Sequence, residues 1–143
     1  MTLTLALLLA AATSDAQAAV AASEALLAAL SGGDGARMAA LTVPEGWATA
    51  TGMRDGKPFV RRQSWAAFIA GQKSGGPKLD ERMTSSEVRV DGNIAMVWGP
   101  YYLNVDGRFR HCGVDHFDLI RQDGAWKVLN ITWSQRTTGC DLP

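Results

Sequence analysis

The segment His111-Cys112-Gly113-Val114-Asp115-His116 places two imidazoles, a thiol and a carboxyl within six residues. Those side chains bind transition metals and move protons, so the segment could serve as a metal site or an acid–base pair. Its spacing limits both roles. On an extended strand side chains alternate between faces, so His111 and Asp115 share one face while Cys112 and His116 share the other. Four ligands divided in this way cannot hold one ion without a bulge, and no metal is expected. His111 and Asp115 would lie roughly 13 Å apart along a strand rising about 3.3 Å per residue, too far for a direct dyad. They could contact opposite ends of one bound molecule.

The turns around the segment make it a strand. Asp91-Gly92, Asp106-Gly107 and Asp123-Gly124 recur at intervals of 15 and 17 residues, with Val, Ile, Trp, Tyr and Phe between them. Both residues of Asp-Gly tolerate positive φ, which a tight hairpin requires. The pattern predicts an antiparallel meander of four strands near 79–90, 94–105, 108–120 and 125–136. A two-residue second turn pairs Val105 with Arg108 and sets Tyr102 opposite His111 and Trp98 opposite Asp115. A two-residue third turn pairs Gln122 with Ala125, Leu119 with Val128, Asp115 with Thr132 and His111 with Arg136. For the first turn a three-residue loop is preferred, because it places Val88 and Val90 beside Met96 and Ile94. Gly99-Pro100 could hold a bulge that changes the faces of Tyr101 and Tyr102.

In this register one face, which includes Thr132, has an apolar end and a mixed end, and the mixed end gathers Trp98, Tyr102, His111, Asp115 and Arg136. That gradient suggests a curved sheet with its core at one end and a pocket at the other. Each of these residues also has a plainer reading. Asp115 could be a structural acid bonded to Thr132 or backbone, His111 a rim residue paired with Tyr102, Arg136 a solvated strand end, and Trp98 a packing residue. The opposite face carries Val97, Tyr101, Leu103, Val114, Ile131 and Trp133. It is too apolar to be wholly solvated, which suggests a dimer contact.

The helices come first. Val20 to Leu30 is rich in Ala with Leu26, Leu27 and Leu30, a composition of high helix propensity. Asp34 should cap a short second helix through Met38 to Leu41, and Ser64 a third carrying Trp65, Phe68 and Ile69 on one stripe. Residues 42–63 read as a long irregular segment. The chain of 143 residues is 47% hydrophobic, with 14 basic and 14 acidic side chains, which suits one domain and gives no positive surface for nucleic acid. Residues 1–18 combine an apolar run with a small-x-small site at Ala16-Gln17-Ala18, resembling a secretory signal too short to form a stable membrane span. Export would make the protein periplasmic or secreted, and would allow Cys112 and Cys140 to pair. Without a signal it would be cytoplasmic.

Three helices followed by a long-stranded meander resemble the nuclear transport factor 2-like superfamily, which includes ketosteroid isomerases, SnoaL-like cyclases and lumazine-binding-like bacterial proteins. The resemblance covers residues 20 to 140 and rests on Ala29-Leu-Ser-Gly-Gly-Asp34, Ile94 to Tyr102, His111 to Arg121, Gly124 to Val128 and Arg136 to Cys140. It implies an α+β, cystatin-like fold, a cone-shaped curved antiparallel sheet wrapped around N-terminal helices at residues 19–143. It implies a homodimer that binds a small molecule in the cone, with Trp98, Tyr102, Thr132 and Arg136 as contacts and no cofactor. A second implication is a cofactor-independent isomerase, cyclase or lyase using Asp115 and His111. A third is an interaction module whose cone is merely core. Asp115 is placed like the protonated Asp of ketosteroid isomerases. Their other roles are poorly matched, since Glu45 is the only nearby carboxylate after the second helix and no Tyr precedes Tyr101.

Overall fold

The structure is a computed structural model that describes residues 2–72 and 74–143. Helix α1 (Thr2–Ser31) crosses the concave side of a sheet and buries Ala19, Ser23, Leu26 and Leu27 against it. Ser23 is tolerated there because its hydroxyl donates to the Ala19 carbonyl at 3.1 Å. The side chains of the apolar run at residues 2–13 lie outside the described residues, and with them the run that suggests a signal peptide. Helix α2 (Gly35–Leu41) starts at Asp34, whose carboxylate accepts from the Arg37 amide at 2.9 Å. Helix α3 (Trp65–Gly71) starts at Ser64, whose hydroxyl accepts from the Ala67 amide at 3.2 Å. Both caps are the ones expected from sequence. Ser64→Ala leaves that amide without its partner, and chemical denaturation should show a loss of about 1 kcal/mol.

Residues 42–63 are not irregular. They contain β1 (Trp47–Arg54) and β2 (Lys57–Ser64), an antiparallel hairpin around Asp55-Gly56 with both turn residues at positive φ. The expected strand at 79–90 is two strands, β3 (Leu79–Met83) and β4 (Glu87–Asp91), which both pair with β5 (Ile94–Val105). Strands β6 (Arg108–Gln122) and β7 (Ala125–Gln135) complete the meander. The sheet has seven strands in the order β2-β1-β7-β6-β5-β3, with β4 beside β5 off this path. It is mixed rather than wholly antiparallel, because β1 runs parallel to β7. The result is an α+β curved, unclosed sheet with helices on its inner side.

The first turn has a two-residue loop, Gly92-Asn93, with Asp91 paired to Ile94, and not the three-residue loop preferred from sequence. Gly92 alone of the turn residues has positive φ, the pattern of a turn that needs Gly only at its first central position. The second and third turns do pair Val105 with Arg108 and Gln122 with Ala125. Beyond them the register slips twice. Arg110 is an extra residue on β6, so His111 faces Leu103 rather than Tyr102, and Asp115 faces Gly99 rather than Trp98. Leu129 is an extra residue on β7, so Asp115 faces Trp133 rather than Thr132. The Leu129 carbonyl accepts from the Trp65 indole at 2.8 Å, so α3 makes use of a backbone group at the bulge.

The two bulges exchange faces. Val97, Tyr101, Leu103, Ile131 and Trp133, expected to form an outer dimer surface, point into the cone with His111 and Asp115. The core below them joins Val97, Phe117, Leu119, Val128 and Ile131 to Leu26 and Leu27 of α1, Met38 of α2 and Trp65 of α3. Ala48 and Ala50 of β1 are fully buried and let α3 approach the sheet closely.

Candidate functional site

At the wider end of the cone the core leaves a cavity of about 170 Å³, partly open to solvent. Its walls are apolar. Leu26, Leu27 and Leu30 come from α1, and Leu79, Leu103 and Ile131 from the sheet. Trp65, Phe68 and Trp133 add three rings in edge-to-face succession, with centroids 5.8 Å and 6.2 Å apart. The polar lining is Glu81, His111, Gln72, Gln135 and the exposed Arg61.

Glu81 is set on the inner face of β3 by the alternation Leu79-Asp-Glu-Arg-Met83, in which the first, third and fifth side chains point into the cone. Behind it sits Asp115, fully buried. Neither Asp115 oxygen meets a hydrogen-bond donor among the described residues, and the group that does approach is the Glu81 carboxyl. Two ionised carboxyls side by side would repel in a poorly solvated site, whereas one proton between them makes a hydrogen bond. Burial drives the Asp115 pKa well above the usual carboxylate range, reinforced by the Glu81 charge. Burial pushes Glu81 up to about 7, against the bond from Asp115, which holds it down. Burial therefore favours the protonated form of both carboxyls, of Asp115 most and of Glu81 in part near neutrality.

His111 is held by a directional chain. The Tyr101 hydroxyl donates its only proton to the Ser134 carbonyl at 2.9 Å and lies 3.0 Å from Nδ1 of His111. Nδ1 must then carry the imidazole hydrogen and donate to Tyr101, which leaves Nε2 with the lone pair. Burial lowers the His111 pKa, helped by the charge of Arg110, so the ring stays neutral near pH 7. Burial raises the Tyr101 pKa, with the charges of Glu81 and Asp115 acting the same way, so its hydroxyl stays protonated. Glu81 and His111 can accept or shuttle a proton, while the amides of Gln72 and Gln135 and the Arg61 guanidinium can donate.

Of the residues singled out from sequence, Asp115 and His111 lie on the inner side as expected, and only His111 lines the cavity. The bulges place the others elsewhere. Trp98 is 44% exposed on the outer face, with its ring 5.7 Å from that of His116. Thr132 is exposed on the same face, in a shallow groove with Trp47, Arg62 and His116. Tyr102 pairs with Cys112 and also faces outward, so Tyr101 takes the inner position expected of it. Arg136 is exposed and its guanidinium donates to the Gly139 carbonyl. Cys112 and Cys140 form a disulfide on the outer side. Glu81, Tyr101 and Trp133 were missed. The alternation at 79–83, with one acid between two apolar residues, was the signal for Glu81.

A sequence-family model described as "Putative lumazine-binding" matches residues 14–134. No curated protein matches this chain. Among solved structures, a nuclear transport factor 2-like protein of unknown function from Silicibacter pomeroyi is 22% identical, with a TM-score of 0.61 over 87% of this chain and 98% of that one. A cystatin-like protein of unknown function from Nostoc punctiforme is 6% identical, with a TM-score of 0.67 over 85% and 91%. A nuclear transport factor 2-like protein from Cytophaga hutchinsonii is 15% identical, with a TM-score of 0.66 over 82% and 94%. At these identities the likeness establishes the fold alone.

Proposed function

The chain belongs to the family described as "Putative lumazine-binding", within the nuclear transport factor 2-like superfamily, and we propose that it binds a small, partly apolar molecule in the cone. The observation that carries this reading is the cavity of about 170 Å³, apolar on most sides and polar at Glu81 and His111. That is roughly the space one six-membered ring fills. Lumazine is a fused two-ring heterocycle, so a smaller occupant is proposed. The unfilled cone speaks against a module whose interior is merely core.

Native mass spectrometry of the protein purified from its own cell tests the proposal. A copurifying single-ring-sized molecule is expected, and it should be lost from Leu103→Trp, which fills the cavity with an indole. If both proteins are ligand-free and Leu103→Trp is the more stable, the cone is core and the reading fails.

A second reading is favoured by one observation, a carboxyl on the cavity wall backed by a second, fully buried one, where burial pushes Glu81 up to about 7. A base titrating near the working pH suits proton transfer, with Glu81 as base, Asp115 behind it and His111 on the other side of Leu103 in the same row of the sheet. Export and dimerisation remain parts of the proposal. The Cys112–Cys140 disulfide supports an oxidising compartment. Exposed Trp47, Ile94 and Trp98 mark the outer face as the one a second copy would cover.

A further inference from the structure

The hydrogen-bonding character of the polar end defines the occupant further, on the reading that the cavity binds a small molecule. His111 presents a lone pair on Nε2, because Nδ1 is committed to Tyr101 and Tyr101 to the Ser134 carbonyl. Glu81 receives the proton of the buried Asp115, so its remaining oxygen valence also only accepts. The donors that line the cavity, the Gln72 and Gln135 amides and the Arg61 guanidinium, come from the end of α3, from β7 and from β2, not from the strands that carry Glu81 and His111. An occupant carrying a carboxylate would meet lone pairs and a negative charge there. One carrying N–H groups would find acceptors on two sides, beside the rings of Trp65, Phe68 and Trp133, whose π faces attract cations.

The geometry points to a cationic ligand, a primary ammonium or amidinium on a single ring or a short apolar body, with its charged end against Glu81 and His111. Other charges near the site leave this intact. Arg61 is exposed, so water and salt screen it, and Arg82, beside Glu81 on β3, is bonded to Asp80, whereas Asp115 is fully buried and Glu81 half-buried. Arg110 and Arg136 are exposed on the rim and strand end. Tyr101 and His111 are neutral. Glu81 titrates at about 7, so near neutrality part of the population carries a proton on it, and a cation placed against Glu81 displaces that proton to solvent while Asp115 keeps its own. No bond other than this O–H is broken or made.

The test uses benzylamine, benzyl alcohol and benzoate, which share a ring and differ in charge. Binding is followed by calorimetry and by amide shifts of Leu103 and Trp133 in the intact protein at neutral pH. Benzylamine should bind about ten-fold more tightly than benzyl alcohol, and benzoate should bind more weakly than both. Glu81→Gln should bring benzylamine and benzyl alcohol to equal affinity. In case that variant does not fold, the wild type supplies a second measurement. The heat of benzylamine binding should vary with the ionisation enthalpy of the buffer in the sense of proton release.

Equal binding of all three probes overturns the cation preference and leaves the cavity-binding reading standing. So does tighter binding of benzyl alcohol or benzoate. A benzylamine preference that survives in Glu81→Gln, or the absence of proton release, overturns the assigned position. If no probe shifts Leu103 or Trp133, the cation proposal and the cavity-binding reading both fall.

Discussion

Between about pH 5 and about pH 8 the protein should lose about 3 kcal/mol of stability through Glu81 alone relative to a Glu81→Gln/Asp115→Asn variant, or about 10 °C in Tm, and Asp115 adds to the loss in the same direction. Glu81 titrates at about 7 in the folded protein and from a model value of 4.5, and Asp115 is raised in the same direction from 3.8. Both carboxyls bind protons more tightly folded than unfolded. Their stabilising effect is therefore full below the unfolded values and disappears as pH rises through the folded ones. His111 acts the other way, since its lowered pKa favours the unfolded chain as pH falls below about 6.5. Subtracting the variant's melting curve isolates the carboxyl pair from that opposing slope. Parallel curves for wild type and variant would mean that no proton is held between Glu81 and Asp115.

Reducing the Cys112–Cys140 bond should cost about 3.5 kcal/mol, from the entropy that a closed loop removes from the unfolded chain. The two cysteines are 28 residues apart. The bond adds to a rung already present, in which Cys112 and Arg136 exchange backbone hydrogen bonds of 2.9 Å and 2.8 Å. With the cross-link gone that rung is left to hold the tail alone. Thermal melts of oxidised protein, reduced protein and a Cys112→Ser/Cys140→Ser variant should show the last two melting together, about 10 °C below the first. An unchanged reduced protein would show that the tail contributes nothing to stability. The cavity should be unaffected, since Cys112 faces outward while His111 faces inward.

Features determined by a few neighbouring residues were legible in the sequence. Asp34 and Ser64 cap their helices because a short oxygen-bearing side chain before an apolar stripe has a local use for its acceptor. Asp106-Gly107 and Asp123-Gly124 turn the chain for a similarly local reason, the positive φ of both residues in each pair. Asp55-Gly56 carries the same signal, but the glycines and prolines around it suggested irregular structure and hid the hairpin.

The bulges were not legible, because nothing at Arg110 or Leu129 differs from an ordinary strand residue. What creates the second is tertiary. At Gly46 a Cβ would stand 1.5 Å from the Leu129 carbonyl oxygen, so the loop before β1 presses directly on the bulged backbone. One such slip moves every partner strand by a residue. His111 and Asp115 kept their common face, since they share a strand without a bulge between them, while Trp98, Tyr102 and Thr132 went to the other side. Glu81 is hidden in the sequence because residues 79–90 have the pattern of one continuous strand, where the chain forms two strands separated by a crossing over Gly99.

By loop-closure entropy, the parallel pairing of β1 with β7 should also form late in the assembly of the molecule. Strands β4 to β7 are joined by tight turns and can zip from neighbour to neighbour, at little cost in chain entropy. The β1 edge instead joins residues far apart in sequence, as in the bond from the Trp47 amide to Asn130, which spans 83 positions. Loop closure places that step late. Trp65 and Phe68 travel with the β1–β2 hairpin, so the aromatic wall of the cavity closes onto a meander that is already formed. Asp115 and Trp133 belong to the early part, and the rings of Trp65 and Phe68 to the late part. Detaching that one edge would open the cavity without unravelling the meander, which makes the hairpin a door as well as a wall.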